Sequence, residues 1–167
     1  MRNTIVLIAA MLISTAASAC SCAPGFGSLP DDEGGRALAV QLAKRQVLAA
    51  EEVLRVRIVS RSEHGNAATY VVQVLETLKS RSTQAQRILS TGPDSCSVYL
   101  TPDEEWILLI NAGRLWQCSG SSLLGGARAV VPGMTASNAA SMNAWYYKTG
   151  ARWLELVRTA AAAERGR

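Results

Sequence analysis

The residues here whose types and spacing could do chemistry are four cysteines, one histidine and an acidic triplet. Cys20 and Cys22 form a Cys-x-Cys pair, and Cys96 and Cys118 follow far downstream. His64 sits in the turn-like Glu63-His64-Gly65-Asn66, and Asp103-Glu104-Glu105 follows Pro102. A Ser-His-Asp or Cys-His hydrolase would have to use His64, which a polar turn leaves solvated. Gly120-Ser121-Ser122-Leu123-Leu124-Gly125 lacks the Gly-x-Ser-x-Gly spacing of a nucleophile elbow. No Cys-x-x-Cys is present to carry thiol–disulfide exchange. Three adjacent carboxylates after a proline turn read as a solvated cluster. Enzyme activity and a bound cofactor are therefore not expected. Cys-x-Cys is also not structural zinc spacing, so no metal held by the chain itself is expected.

The surroundings of Cys20 give it a different chemistry. Arg2 supplies a positive start, Ile5 to Ile13 is a short apolar run, and Ala17-Ser18-Ala19 is a small-x-small cleavage site. The run is too short to span a membrane as a helix. Residues 1–19 thus read as an export signal, and cleavage makes Cys20 the new N-terminus. In a secreted or periplasmic setting an even number of cysteines favours disulfides. Four cysteines allow three connectivities. Cys20 and Cys22 are too close to pair comfortably, so each is expected to reach Cys96 or Cys118. A loop of that length would stabilise the fold by about 4 kcal/mol.

A terminal Cys20 would present two donors on one residue. Its α-amine, with a reference pKa of about 7.7–8.0, is partly neutral near pH 7. The amine nitrogen and the Cys20 carbonyl oxygen can close a five-membered chelate on a metal. Two flanking disulfides would hold that chelate in place and lower the ordering cost of binding. A catalytic zinc with three protein ligands and an open position is a suitable target. Against this stands a simpler use, in which Cys20 and Cys22 only staple a loose terminus.

The elements that must position these cysteines are mostly strands. Residues 23–35 are rich in Pro, Gly and Asp and read as loop. A helix is expected from about Gly35 to Glu52, with Leu38, Leu42, Val47 and Leu48 on its apolar face. Leu54, Val56 and Ile58 alternate with Arg55 and Arg57, as in a half-buried strand, and Tyr70, Val72 and Val74 begin a second that runs to about Leu78. Arg87 to Ser90, Ser97 to Leu100 and Arg114 to Cys118 suggest further strands. Trp106 to Ile110 is a continuous apolar run, as a strand buried on both faces shows. Ser119 to Gly126 reads as loop, and Ala127 to Val131 as a last strand. Helices are expected over 135–147 and 151–163, broken at Thr149-Gly150, with Trp145, Tyr146, Trp153, Leu154 and Val157 available to pack on the sheet. Five or six short antiparallel strands with helices at both ends predict a small closed barrel, since closure removes edges. The 17 basic and 13 acidic residues are scattered, with no basic run longer than two, so nucleic acid is not an expected partner.

The cysteine-bearing segments resemble a known family. Cys20-Ser21-Cys22-Ala23-Pro24 is similar to the mature start of the tissue inhibitors of metalloproteinases. The likeness to their N-terminal, netrin-like domain continues through Leu54-Arg55-Val56-Arg57-Ile58-Val59-Ser60, Thr69 to Lys79, Ser95-Cys96-Ser97-Val98 and the run Trp106 to Arg114 before Cys118. It covers roughly residues 20–135. The resemblance implies a five-stranded, OB-like barrel and disulfides Cys20–Cys96 and Cys22–Cys118. It also implies inhibition of a zinc metalloprotease, with the Cys20 amine and carbonyl displacing water from the target's zinc. Ser21 would point to the specificity pocket, Cys22, Ala23 and Pro24 would lie in the substrate cleft, and Ser95, Cys96 and Ser97 would form a second contact segment.

The chain departs from that family in three ways. A third disulfide of the domain has no cysteines here, the segment between Pro24 and the first strand is longer, and a helical tail stands where the family has a cysteine-rich domain. The signal and low cysteine number suggest a bacterial member. The expected organisation is a signal at 1–19, a netrin-like barrel at 20–135 and a helical tail at 136–167. The alternative reading is a non-inhibitory netrin-like interaction module, with the residues around Trp145, Tyr146, Tyr147 and Trp153 as a candidate patch. Ala17-Ser18-Ala19-Cys20 loosely resembles a lipobox, which in that variant would anchor the protein through a lipid on Cys20.

Overall fold

The computed structural model describes residues 32–65, 67–91, 100–115, 119–125 and 136–166, for 136–148 the backbone alone. In chain order it runs α1 (Glu33–Ala49), β1 (Glu52–His64), β2 (Ala67–Lys79), β3 (Gln86–Ser90), β4 (Glu105–Ile110), β5 (Ser122–Gly125) and α2 (Ala136–Arg165). The five strands form one antiparallel sheet in the order β3-β2-β1-β4-β5. Of the strands expected at Ser97–Leu100, Arg114–Cys118 and Ala127–Val131, residues 97–99, 116–118 and 127–131 lie outside the described residues; Leu100 and Leu115 are in no strand, and Arg114 makes only isolated bridges.

β1 is the axis of the sheet. It pairs with β2 along nearly its whole length and with β4 from Glu52 to Arg57. The β1–β2 register slips at Val53/Leu54, Arg55/Val56 and Ile58/Ser60. Such irregularities bend a strand and increase its twist. The hairpin turns at Gly65, whose φ of +61° a residue with a Cβ rarely adopts.

The bending shapes two cores, one on each face. On one face, Leu54, Val56 and Ile58 of β1 meet Tyr70 and Val72 of β2, Leu89 of β3, Trp106, Leu108 and Ile110 of β4 and Leu123 of β5, with Leu100 and Leu115 from the connections. Among the described residues this cluster draws on all five strands and on neither helix. On the other face, Val53, Leu78, Ile107 and Leu109 pack under α1 and α2, against Ala43, Val47, Trp153, Leu154, Val157 and Ala161. β4 is thus buried on both faces, as its unbroken apolar run predicts. β3 and β5 are the edges of the sheet. No ladder joins them among the described residues, although a single parallel bridge connects Ser90 at the end of β3 to Arg114 between β4 and β5.

Three local expectations need correction. In α1 the buried stripe is Gly35, Ala39, Ala43 and Val47, whereas Leu38 and Leu48 are each 53% exposed. Small side chains recurring every four residues let the helix seat closely, and they take the inner face from the leucines. Ser122–Gly125, expected as loop, is β5: its short, glycine-flanked segment has weak strand propensity and is held by β4 and α2. The two C-terminal helices are one continuous helix through Thr149 and Gly150. Gly150 is no breaker. A Cβ there would stand 2.1 Å from the Leu123 carbonyl oxygen, so glycine is what permits the approach of α2 to β5.

Candidate functional site

The residues singled out for target binding, Cys20, Ser21, Cys22, Ala23, Pro24, Ser95, Cys96 and Ser97, lie outside the described residues, as does Cys118. The structure describes the stems from which two cysteine-bearing segments depart. Among the described residues three polar side chains are buried: Thr91, Glu104 and Ser119, at 4%, 0% and 9% exposure. Each lies beside one of those segments. Burial of a polar group costs free energy unless it is hydrogen-bonded, so their bonds mark where the fold fixes the chain.

Thr91 closes β3, immediately before residues 92–99. Its amide donates to the Ala68 carbonyl at 2.9 Å, and its hydroxyl accepts from the Ala68 amide at 3.2 Å. On the far side of the segment, Leu100 is fully buried in the inner core. Thr101 then donates its amide to Glu104 Oε2 at 3.0 Å, and Trp106 Nε1 donates to the same oxygen at 2.9 Å. Glu104 Oε1 is buried with no hydrogen-bond partner among the described residues. The backbone of this turn joins β1, since the Asp103 amide donates to Ile58 and the Glu104 carbonyl accepts from it, both at 2.9 Å.

Glu104 corrects the reading of the acidic triplet as solvated. The signal was present in the sequence: Glu104 stands two residues before Trp106, so strand alternation puts both on the inner face. Its neighbour Glu105 faces outward and accepts from Arg55 at 2.8 Å and Arg57 at 2.7 Å. Hydrogen bonds from Arg55 and Arg57 hold its carboxyl below the usual carboxylate range. His64 ends β1, exposed beside the hairpin turn.

The stem before Cys118 begins at the Asn111-Ala112-Gly113 turn, where Ala112 and Gly113 have φ of +49° and +68°. Arg114 bridges Ser90, and Leu115 enters the inner core at 3% exposure. Just after Cys118, the Ser119 and Ser121 hydroxyls share a hydrogen bond of 2.9 Å, and Ser121 Oγ accepts from the Leu109 amide at 3.0 Å. The Gly120 carbonyl accepts from Trp153 Nε1 at 2.7 Å, which ties this stem to α2. The Ser90–Arg114 bridge brings the stems leading to Cys96 and Cys118 together on one side of the sheet.

Trp153, one of the aromatics considered as a surface patch, is a core residue at 1% exposure. The side chains of Trp145, Tyr146 and Tyr147 lie outside the described residues. Among the described residues no cluster of three or more His, Cys, Asp or Glu could hold a metal, and no helix is long and apolar enough to cross a membrane. Neither family models nor curated proteins give a match to the sequence.

Proposed function

We propose that this protein is an exported inhibitor of zinc metalloproteases, built on a netrin-like, five-stranded, partly open OB-like barrel. The Cys20 amine and carbonyl chelate the target's zinc in trans. Disulfides Cys20–Cys96 and Cys22–Cys118 hold the terminal segment against the barrel. Ser21, Cys22, Ala23 and Pro24 then follow the substrate cleft, and Ser95, Cys96 and Ser97 make the second contact.

The observation that carries this reading is the anchoring of the stems. Thr91, Glu104 and Ser119 fix the chain beside the segments of Cys96 and Cys118, and Ser90 bridges Arg114. Disulfides joined to fixed stems would present a pre-ordered terminus, as a chelate requires. The barrel is supported by a single core cluster that joins residues of all five strands and by the same bridge, which links the end of β3 to the stem before β5.

The test is a comparison of the protein with a version carrying one extra residue before Cys20, assayed against a panel of zinc metalloproteases. The extension removes the α-amine from the chelating residue and is expected to abolish inhibition. Equal inhibition by both forms overturns the mechanism. Protons compete with zinc for the amine, so inhibition is expected to weaken as the pH falls below about 7. A second reading is a non-inhibitory netrin-like interaction module, lipid-anchored through Cys20 in one variant. It is favoured by α2, which packs on the sheet through Trp153, Leu154 and Val157 and makes the helix part of the folded unit. A partner retained after deletion of residues 20–24, or a diacylglycerol on Cys20, would select it.

A further inference from the structure

Several basic side chains among the described residues meet a carboxylate. Arg55 and Arg57 meet Glu105, Arg61 meets Glu63, Lys79 meets Glu164, Arg87 meets Glu52, and Arg158 meets Glu76 and Glu155. Lys44, Arg45 and Arg81 have no carboxylate partner among the described residues. Lys44 and Arg45 stand on the outer face of α1, and Arg81 lies beyond the helix's C-terminal end, in a cleft of about 800 Å³ that Leu48 also lines.

The same face carries the two misplaced leucines. At 3.6 residues per turn Lys44, Leu48, Gln41, Arg45 and Leu38 fall within an arc of about 120°, opposite the stripe that seats α1 on the core. Leu38 and Leu48 are about 15 Å apart along the axis at 1.5 Å per residue, with the two cations between them in sequence. The arc itself holds no acid. At its margins the Asp32 carboxylate caps the Gly35 amide, Glu51 accepts from the Ala112 amide, and Glu52 is held by Arg87 and Ser80. Glu33 is exposed in the first turn.

We propose that the outer face of α1, with Arg81, is a docking surface for an anionic lipid bilayer. Unpaired cations complement a negative surface, and long basic side chains let the helix sink while their charged ends remain at the headgroups. The leucines decide between occupants. A soluble polyanion gains little from them, whereas a bilayer buries what they expose. The inference stands apart from the inhibitor reading, since no residue of this face belongs to that site.

The experiment is sedimentation of the exported protein with vesicles of phosphatidylcholine alone and of phosphatidylcholine with 30% phosphatidylglycerol. Binding is expected only to the second and is lost in high salt. A cation near an anionic surface contributes about fivefold, so Lys44→Ala, Arg45→Ala and Arg81→Ala together should weaken binding about a hundredfold. Leu38→Ser with Leu48→Ser should weaken it about tenfold. Val59→Ser with Ile88→Ser, which changes apolar residues of the sheet that are 48% and 71% exposed, should leave it unchanged. Any contribution of the N-terminus is common to all variants. The proposal fails if phosphatidylglycerol makes no difference, or if the sheet variants match the helix variants. It also fails if the leucine variants bind normally while dextran sulfate displaces the protein, since the face would then be a polyanion site.

Discussion

Replacing Gly150 by alanine should destabilise the protein, against the usual direction of that change in a helix. Alanine in a helix interior is ordinarily favoured over glycine by about 1 kcal/mol. At Gly150 the new Cβ would lie 2.1 Å from the Leu123 carbonyl oxygen, 3.1 Å from its carbon and 3.3 Å from Leu124 Cα. All three are backbone atoms of β5 or its start, so no flexible side chain can move aside. The helix must lift by roughly 1 Å to reach ordinary contact distance. Trp153, one turn on, donates to the Gly120 carbonyl at 2.7 Å, and it fills the core with Val157 and Leu109. Overpacking of this kind costs about 1–3 kcal/mol, and a weakened hydrogen bond about 1 more. After subtracting the propensity gain, a net loss of about 2 kcal/mol is expected. With a urea slope of about 1–3 kcal/mol/M the midpoint should fall by about 1 M. Gly34→Ala in α1 is the control: its Cβ would meet only Asp32 Oδ1 at 3.5 Å, and it should stabilise by about 0.4–1 kcal/mol. A Gly150→Ala midpoint equal to or above that of the unaltered protein, at unchanged slope, refutes the close seating of α2 on β5.

Two further outcomes follow from the polar groups. Glu104→Ala strands the Trp106 indole N–H and the Thr101 amide, at about 1–3 kcal/mol each, whereas Glu104→Gln keeps an acceptor and should lose less; urea midpoints with tryptophan emission as probe distinguish them. Glu52, Glu76 and Glu105 are held below their ordinary carboxylate values by hydrogen bonds from Arg87, from Arg158 and from Arg55 and Arg57 respectively. A folded value lower than the unfolded one makes the contribution complete above the unfolded value, near pH 4.5, and removes it as the pH falls through the folded value. Urea midpoints from pH 7 to 3 should therefore fall below about pH 4.5, and less steeply in Glu52→Gln than in the unaltered protein.

Much of the sheet was legible because its signals are local. Alternation at Leu54, Val56 and Ile58, the unbroken run Trp106 to Ile110 and the turn at Gly65 depend on residues adjacent in sequence. The errors arise where a partner distant in sequence decides. Gly150 reads as a break until the Leu123 carbonyl is known to lie against it. Leu38 and Leu48 read as core until Ala39 and Ala43 are seen to take the inner face. Glu104 reads as solvated when grouped with Asp103 and Glu105, and as buried when grouped with Trp106. Composition favours the first grouping and strand alternation the second. The Cys-x-Cys pair was legible as a motif, but its disulfide partners rest on the family resemblance.

The distribution of buried polar groups gives the fold a division of labour. The two cores around β1 and β4 are almost wholly apolar, and such packing needs no specific polar partner. Thr91, Glu104 and Ser119 are exceptions, and all flank the segments that lead to or from Cys96 and Cys118. A buried carboxyl such as that of Glu104 is a poor means of stabilising a core, since replacing a buried polar network by apolar groups is often neutral. It is an effective means of fixing one chain direction, because the Thr101 amide and the Trp106 indole must both point at it. If the disulfides of the proposed inhibitor form, strain or slack in these stems passes to Cys20 through covalent bonds. Glu104→Gln should then change inhibition through the order of the terminus, and Gly150→Ala should do so through the Trp153–Gly120 bond, while Gly34→Ala in α1, which touches neither stem, should leave the inhibition constant unchanged.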